Sequence, residues 1–346
     1  MIEIEKKNIQ AVTVDVTYGC NLRCKHCFNY SGQHTLQRKE MSDQELIDIC
    51  YEIIKVKPEV VCLCGGEPLL RKDVVFKMIE ILKDENIQNV NIVSNGFILD
   101  REVAEELKKR RVDFVQISVD GVRSESHDWL RNKEGAHDRA LAAIKNLVDA
   151  GVRVGVSFIP TKKSIGEMED LIALLDEMGV SVFRTQPLMK MGRATGISDD
   201  DYPTSIDYFK LSKKISKLTT GNTLKNLKLE WGDPLEHLLL MSEGEAMKML
   251  IVNGYGDLMI SPYLAIRIGN VKKHSVSEYL DKGLLDVYGD VSINKLCKKY
   301  GKVSEMNLSD FVEGFPELYK DEFIDLDIFE VDPEKRQLII DRALNE

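Results

Sequence analysis

The chain has 346 residues, of which 43% are hydrophobic and 30% are charged, and its formal net charge is −10. This length and composition fit a globular protein of one to three domains and exclude a small disulfide-stapled module. No run approaches the roughly 20 apolar residues that span a bilayer, and the N-terminal MIEIEKKNIQ has no apolar signal segment, so we expect a cytoplasmic protein without membrane contact.

The negative charge is concentrated at the C-terminal end of the chain. Residues 303–346 hold 13 acidic and 4 basic side chains, whereas the rest of the chain is close to neutral. Binding to nucleic acid requires Lys and Arg side chains that neutralise phosphates, so this distribution disfavours a nucleic-acid partner. We treat residues 301–346 as an acidic tail that is either solvated or docks a basic partner.

From residue 11 onward, short β-rich runs alternate with longer helical patterns, which is typical of βα units on a parallel sheet. Six strands are predicted at residues 11–17, 60–64, 89–94, 112–119, 152–158 and 180–186. Apolar residues recur at helical spacing in the segments between them, at 42–56, 73–86, 101–111, 136–151 and 165–179. Ser42 or Asp43 is the predicted first cap, and Gly151 and Gly179 are predicted C-terminal caps. The six repeats are two short of a closed eight-fold barrel.

The fold class that we predict is therefore α/β, with a partial (β/α)6 TIM barrel and a small α+β C-terminal domain. The barrel core covers residues 1–195, and a linker with one helix covers 196–228. The smaller domain occupies 229–300, with a hairpin at 253–262 and a helix at 275–284, and the acidic tail follows.

Three of the seven cysteines, Cys20, Cys24 and Cys27, lie in the loop after the first predicted strand. An odd cysteine number in a chain without an export signal indicates reduced thiols, and clustered thiols then indicate metal binding or catalysis. Four-iron clusters usually take four thiolates, so three would leave one iron open. A zinc site that adds His26 or His34 is the alternative, although the three-then-two spacing is not that of the usual zinc knuckle.

The loop CNLRCKHC resembles the CxxxCxxC signature of the radical S-adenosylmethionine (SAM) superfamily. The resemblance implies that Cys20, Cys24 and Cys27 hold one [4Fe–4S] cluster whose open iron binds SAM. It also implies reductive cleavage of SAM to a 5′-deoxyadenosyl radical. Three further segments occur in the order of that family: GGEP at 65–68, SNG at 94–96 and SVDG at 118–121. The resemblance and the strand ends place these residues around SAM: His26, Gly65, Gly66, Glu67, Pro68, Ser94, Asn95, Ser118, Asp120 and Arg184.

Residues 118–158 narrow the resemblance to the peptide- and protein-modifying branch that carries a C-terminal SPASM or twitch extension. Arg131 stands where that branch commonly has an Arg after an HD pair, and an ordinary ion pair with a carboxylate is the alternative role. Residues 254–283 are similar to the SPASM pattern, but Ser261 and Pro262 stand where a cluster-binding cysteine is expected. A second cluster needs about four thiolates. The C-terminal half contains only Cys297, so we expect a SPASM-like domain without an auxiliary cluster.

The remaining cysteines have a structural and a catalytic interpretation. Cys50 lies on an apolar helix stripe, which predicts core packing. Cys62 and Cys64 are two residues apart on one predicted strand and therefore share a face. If that face lines the barrel, Cys64 could give a hydrogen atom to a substrate radical. Cys297 is the second candidate for this catalytic role, and for each of them packing as a small hydrophobic residue is the alternative.

The sequence thus favours a radical SAM enzyme that abstracts hydrogen from a peptide or protein, as a maturase or epimerase of a ribosomally made peptide. One alternative is a radical SAM enzyme with a small-molecule substrate such as a sugar, an amino sugar or a cofactor precursor. The other is a non-catalytic iron–sulfur or zinc protein. The expected electron donor is of the flavodoxin or ferredoxin type. About ten residues precede the first strand, from which we expect a separate leader-peptide-binding protein.

Overall fold

The structure is a computed structural model that describes residues 9–34, 37–221, 224–232, 247–300 and 322–345. Its strands are β1 (Ala11–Thr17), β2 (Val60–Gly65), β3 (Asn89–Ser94), β4 (Phe114–Ser118), β5 (Arg153–Phe158), β6 (Val182–Thr185), β7 (Lys228–Trp231), β8 (Met249–Val252), β9 (Asp257–Met259), β10 (Ile266–Asn270) and β11 (Ile324–Asp325). Its α-helices are α1 (Asp43–Val56), α2 (Lys72–Asp84), α3 (Arg101–Lys109), α4 (Ser124–Arg131), α5 (Ala136–Asp149), α6 (Met168–Glu177), α7 (Ser205–Thr220), α8 (Val276–Asp281), α9 (Val291–Tyr300) and α10 (Pro333–Asn345).

All these strands belong to one sheet, in the order β7-β6-β5-β4-β3-β2-β1-β8-β9-β10-β11. Neighbours from β7 to β8 are parallel, whereas β9 is antiparallel to both β8 and β10. Within the described ranges no pairing joins the two edge strands, so the sheet is open. The predicted six-strand α/β array is confirmed. The structure adds a parallel strand at each side of it, and the strands of the predicted C-terminal unit extend the same sheet.

Local sequence signals account for the main helix boundaries. Ser42 forms a capping box with Glu45 at the start of α1. Gly151 and Gly179, which follow α5 and α6, have positive φ angles of 73° and 81°, a conformation that glycine adopts without a steric penalty. The described part of the acidic tail forms β11 and α10, and α10 packs against α9. Residues 301–321 of the predicted tail lie outside the described residues.

The two faces of the parallel sheet differ in polarity. On one face the alternating side chains are apolar and fully buried beneath the helices, as at Val12 and Val14 of β1 and Leu63 of β2. The opposite face, here called the inner face, carries polar and partly exposed side chains, namely Thr13, Asp15, Cys62, Cys64, Asn91, Gln116, Ser118 and Ser157. A hydrophobic core therefore supports one side of the sheet and leaves the other side for chemistry. Among the helices described, none combines the length and apolar character needed to cross a membrane.

Candidate active site

A cavity of about 220 Å³ lies at the carboxyl ends of the parallel strands, against the cysteine loop. The end of a parallel sheet gathers the loops after successive strands, which is where α/β folds place their sites. Nine residues predicted from the sequence line the cavity: Cys20, Cys24, His26, Cys27, Gly65, Gly66, Ser94, Asn95 and Ser118. The structure adds Phe28, Asn29, Arg131, Ser157, Gln186, Arg193 and Tyr263 to its wall.

The three cysteines of the loop are free thiols, and hydrogen-bond donors lie beside the sulfurs of two of them, Cys20 and Cys24. The Leu22 amide lies 3.4 Å from the Cys20 Sγ, and the Asn95 side-chain amide lies 3.8 Å from the same sulfur. The Arg131 Nη1 lies 3.8 Å from the Cys24 Sγ. Donors and a cation directed at sulfur stabilise thiolate charge, so these sulfurs lie in surroundings that suit metal ligation.

The number of these thiols fits an iron–sulfur cluster. Cys20, Cys24 and Cys27 line one cavity. An iron–sulfur cluster takes each thiolate on a different iron, so three thiolates would hold a four-iron cluster and leave one iron open.

Burial alone would keep two of these thiols, Cys20 and Cys24, protonated. It raises the pKa of Cys20 to about 11, and it also raises the pKa of Cys24 in spite of the nearby Arg131 cation. Thiolate formation at neutral pH then needs the positive charge of bound iron. Burial also lowers the pKa of His26 to about 4, so this imidazole is neutral, and its Nδ1 is buried without a hydrogen-bond partner among the described residues.

The two glycines of GGEP bring the end of β2 against the backbone that enters the cysteine loop. The Gly66 amide donates to the Thr17 carbonyl at 2.7 Å. A Cβ atom on Gly66 would lie 2.2 Å from the Gly19 carbonyl oxygen, and one on Gly65, whose φ is 122°, would lie 2.3 Å from the Thr17 oxygen. A side chain at either position would push the two backbones apart. The glycines are therefore required for the shape of the cavity floor.

Glu67 was predicted to contact SAM, but the structure places its carboxylate inside the protein. The side chain is fully buried and accepts hydrogen bonds from the Ser94 hydroxyl at 2.9 Å and the Asn95 amide at 2.8 Å. Burial raises its pKa to about 7 in spite of these donors. Glu67 does not line the cavity, and in this structure it joins the loop after β2 to the loop after β3.

Asp120 likewise faces other protein groups and does not line the cavity. One carboxylate oxygen accepts from the Arg131 Nε at 2.6 Å and the other accepts from the Ile159 amide at 3.0 Å. Burial raises the pKa of Asp120, but the positive charge of Arg131 and the hydrogen bond from the Ile159 amide lower it, and the net shift is downward. Asp120 therefore positions the guanidinium that contacts Cys24.

Four other predicted site residues lie outside the cavity. Arg184 is half exposed and pairs with Glu230 of β7, a strand that the sequence analysis did not predict. Pro68 is buried at the start of a short 3₁₀ helix, and Cys297 is fully buried on α9. Cys64 lies on the inner face with its Sγ 3.1 Å from the Cys62 Sγ, immediately before the cavity residue Gly65.

Two cavity residues were not identified from the sequence because they come from distant segments. Arg193 follows β6 and donates from Nε to the Cys24 carbonyl at 2.8 Å. Tyr263 comes from the connection between β9 and β10, packs edge-on against Phe28, and lies 3.5 Å from the Gln186 amide. Tyr263 directly follows the Ser261-Pro262 pair that departs from the SPASM pattern. The departure from the pattern marks this segment as unusual, but it does not show that the Tyr263 side chain reaches the cavity.

Comparisons with known proteins agree with this geometry. Residues 14–175 match the family model described as Radical SAM superfamily. The mycofactocin maturase MftC of Mycolicibacterium smegmatis is 30% identical over 73% of this chain and 64% of its own length. The Fe-coproporphyrin III synthase of Methanosarcina barkeri is 28% identical over 58% of this chain and 49% of its own length. The chain thus spans about half to two thirds of the length of the curated relatives that it matches.

Solved structures show the same fold at low identity. SuiB of Streptococcus suis, bound to its precursor peptide SuiA, has a TM-score of 0.64 at 15% identity, and the match covers 82% of this chain and 67% of SuiB. The native anSMEcpe with bound AdoMet has a TM-score of 0.62 at 17% identity, covering 97% and 99% of the two chains.

Proposed function

We propose that this chain, whose residues 14–175 match the radical SAM superfamily model, is an enzyme whose cysteine loop holds one [4Fe–4S] cluster and that it abstracts hydrogen from a peptide or protein substrate. The single observation that carries this proposal is the cavity that collects Cys20, Cys24 and Cys27 at the carboxyl ends of the parallel strands. The bound cluster and SAM would supply the one-electron cleavage that yields a 5′-deoxyadenosyl radical.

The residues of this chain bind and orient these groups. Cys20, Cys24 and Cys27 are the cluster ligands, and Gly65 and Gly66 leave the backbone free to approach SAM. Ser94, Asn95 and Ser118 line the same wall and supply polar contacts to SAM. His26, neutral and with an unpartnered Nδ1, accepts or donates one further hydrogen bond there.

The names of the relatives favour a peptide substrate. MftC is named a maturase, and SuiB is described with a bound precursor peptide. In this chain the cavity wall also carries Tyr263 and Phe28, aromatic groups that can pack on a side chain, and the amide of Gln186 can pair with a peptide backbone. A flavodoxin- or ferredoxin-type electron donor and a separate leader-peptide-binding protein complete the proposal.

Cys64 is the proposed hydrogen-atom donor to the substrate radical. The substrate carbon would take a hydrogen atom from the Cys64 thiol and leave a thiyl radical, and Cys62, whose Sγ is 3.1 Å away, could bond to it. Closing that disulfide releases one proton and one electron, which an oxidised one-electron carrier accepts, and an external dithiol restores both thiols. In D₂O the wild type should place one deuterium in its product. Cys64→Ala should not, whereas Cys50→Ala, which removes a buried thiol of α1, should behave as the wild type.

The second candidate is a radical SAM enzyme that acts on a small molecule, in particular a cofactor precursor. The names of two groups of relatives, Fe-coproporphyrin III synthase and AdoMet-dependent heme synthase, favour it. Cleavage of SAM that rises with added tetrapyrrole and not with any candidate peptide would select this alternative.

The deciding experiment is anaerobic reconstitution with iron and sulfide, followed by iron analysis and a dithionite-driven SAM cleavage assay. We expect about four irons per chain and 5′-deoxyadenosine formation, and both should be lost in Cys24→Ala and kept in Cys50→Ala. Peptides encoded beside the gene would then be examined for a change in mass or chirality. Metal without SAM cleavage would contradict the enzymatic proposal, and about eight irons would contradict the single cluster.

A further inference from the structure

The described residues between Gly19 and Ser42, which include the cysteine loop, form no helix or strand, so the backbone of the loop must be held by other segments. On one side it is held by α4, because the Lys25 amide donates to the Leu130 carbonyl at 2.8 Å. On the other side it meets the connection between β6 and α7, and this second contact has no role in the sequence motifs described above.

Gly192 brings that connection against the loop backbone. Its φ angle is 55°, and a Cβ atom built on it would lie 2.4 Å from the Cys27 carbonyl oxygen and 2.3 Å from that of Phe28. Both contacts are with backbone atoms, which cannot rotate away as a flexible side chain can. Only glycine both adopts this positive φ angle without a steric penalty and leaves room for the loop backbone.

Arg193 then satisfies the carbonyl groups of the loop. Its amide donates to the Cys27 carbonyl at 3.0 Å, and its Nε donates to the Cys24 carbonyl at 2.8 Å. Its Nη1 donates to the Ser31 carbonyl at 3.1 Å. One residue therefore bonds the backbone at two of the three cysteines and at Ser31, and Arg193 is also one of the residues that line the cavity.

The connection is fixed by a small apolar cluster separate from the main core. Ala194, which follows Arg193, packs with Leu130 of α4 and with residues 188, 197 and 202 of the connection. The Tyr202 hydroxyl donates to the Ala194 carbonyl at 2.6 Å. The position of Arg193 is thus set by packing on α4, the same helix that holds the opposite side of the loop.

We propose that Gly192 and Arg193 are positioning residues for the cluster, which hold the backbone of Cys24 and Cys27 and place a guanidinium charge beside the bound cluster. This inference rests on the proposed function. A cation near a cluster favours its reduced state, which carries one more negative charge, because net charge and hydrogen bonding set cluster potentials. The segment after β6 would then help determine how readily the cluster accepts an electron.

Four variants test the proposal by iron and sulfide content and by a redox titration monitored by electron paramagnetic resonance, without reference to turnover. Arg193→Gln should lower the ratio of reduced to oxidised cluster about tenfold at a fixed potential, which for one electron is a shift of about 59 mV. Arg193→Lys keeps the charge and should restore most of that ratio while retaining less iron. Gly192→Ala should retain less than about half of the iron after challenge with a chelator, because the loop backbone must move.

Gly196→Ala is the matched control, because a Cβ at Gly196 meets no atom within 4 Å and this glycine lies in the same connection. It should match the wild type in every measurement. If Gly192→Ala does not fold, the potential of Arg193→Gln decides. A wild-type chain that takes up no iron would overturn the proposed function. If the wild type holds the cluster, and Gly192→Ala and Arg193→Gln match it in iron retention and cluster potential, this inference is wrong while the proposed function stands.

Discussion

Arg131 and Asp120 form an ion pair that is almost closed to solvent, with side-chain exposures of 8% and 0%. Removing one partner of a buried pair leaves an uncompensated charge, which costs about 3–5 kcal/mol. Arg131→Gln should therefore lower the free energy of unfolding by that amount in urea titrations. The double variant Arg131→Gln with Asp120→Asn should be more stable than the single one, because no charge is then left unpaired.

An exposed pair provides the control for this prediction. Arg101 and Glu105 on α3 are 84% and 57% exposed, and such pairs contribute about 0.5 kcal/mol or less. Arg101→Gln should thus change the stability little. If the free energy of unfolding falls equally in the Arg131 and Arg101 variants, the Arg131 pair is not buried as described.

Asp15, on the inner face opposite Cys64, gives a prediction about pH. Burial raises its pKa to about 7 in the folded chain, in spite of a hydrogen bond from Tyr18. Between about pH 4 and pH 7 the folded chain then binds more protons than the unfolded chain, so the free energy of unfolding falls as pH rises through this window. When the pH is raised from 5 to 7.5, the free energy of unfolding of Asp15→Asn should fall by about 2 kcal/mol less than that of the wild type, as measured in urea titrations.

Asp170→Asn, which changes an exposed carboxyl of α6, serves as its control and should follow the wild type. If Asp15→Asn shows the same pH dependence as the wild type, the Asp15 carboxyl titrates near its ordinary value and the inner face is more solvated than the structure indicates.

At the scale of single residues, the sequence predicted many of the residues that line the cavity. It was less informative about the atoms that each side chain contacts. Cysteines and glycines at the predicted positions line the cavity because their place in a loop after a strand determines where they go. Glu67 and Asp120 were placed next to SAM by the same argument, yet both carboxylates accept hydrogen bonds from protein groups. A spacing pattern cannot predict this, because the donors come from other loops.

At the scale of secondary structure, the close contact between the end of β2 and the start of the cysteine loop depends on Gly66. An added methyl group would meet the Gly19 carbonyl oxygen, and such overpacking costs about 1–3 kcal/mol. Gly66→Ala should lower stability in urea by that amount and should reduce iron uptake, because the loop that carries Cys20 has to move. Both effects would be measured on the same preparation.

Gly166→Ala is the matched variant, because no atom lies within 4 Å of a Cβ built there. Its stability should stay within about 0.5 kcal/mol of the wild type, and its iron uptake should not change. If Gly66→Ala is as stable as Gly166→Ala, the contact between β2 and the loop is looser than described.

The helices and strands that were predicted correctly are those with the strongest residue patterns in the sequence. The strands β1 and β3 begin and end at the predicted residues, because β-branched residues recur along both of them, in AVTVDVT and NVNIVS. The helix α4 and the strand β7 were not predicted. α4 is only eight residues long and is capped by a left-handed Asn132, and β7 has four residues and forms by pairing with β6. Short elements that depend on tertiary contacts leave little periodic signal in the sequence.

At the scale of the whole molecule, the division into a core and a second domain stays a prediction, and the structure shows that β8 pairs with β1 and that β9 and β10 extend the same sheet. Strand pairing between distant segments is a long-range property that a local pattern does not contain. One consequence is that the C-terminal segment supplies Tyr263 to the cavity. A second consequence is that contacts from this segment support the cysteine loop itself.

The centre of that support is Asp257 of β9, whose side chain is fully buried. It accepts from the two Nη atoms of Arg38, which follows the cysteine loop, at 2.7 and 2.8 Å. Asn270 and Asn253 donate to the same carboxylate at 2.7 and 3.0 Å. Nearby, the His34 ring stacks on Tyr18 with centroids 4.6 Å apart. The loop and the C-terminal strands are thus joined through one buried charge.

Replacing Asp257 should therefore weaken the fold and the cluster site together. Asp257→Asn keeps the shape of the side chain but replaces the buried carboxylate that Arg38 and Arg267 contact with a neutral amide, which should cost about 3 kcal/mol in urea titrations. Because Arg38 lies on the segment that continues the cysteine loop, iron retention after a chelator challenge should fall as well. Glu330→Gln removes the partner of Lys273 in an exposed pair and should change neither measurement. A stable Asp257→Asn chain that keeps its iron would mean that the loop holds its shape without the C-terminal strands, and the cysteine segment would then be sufficient for the cluster site.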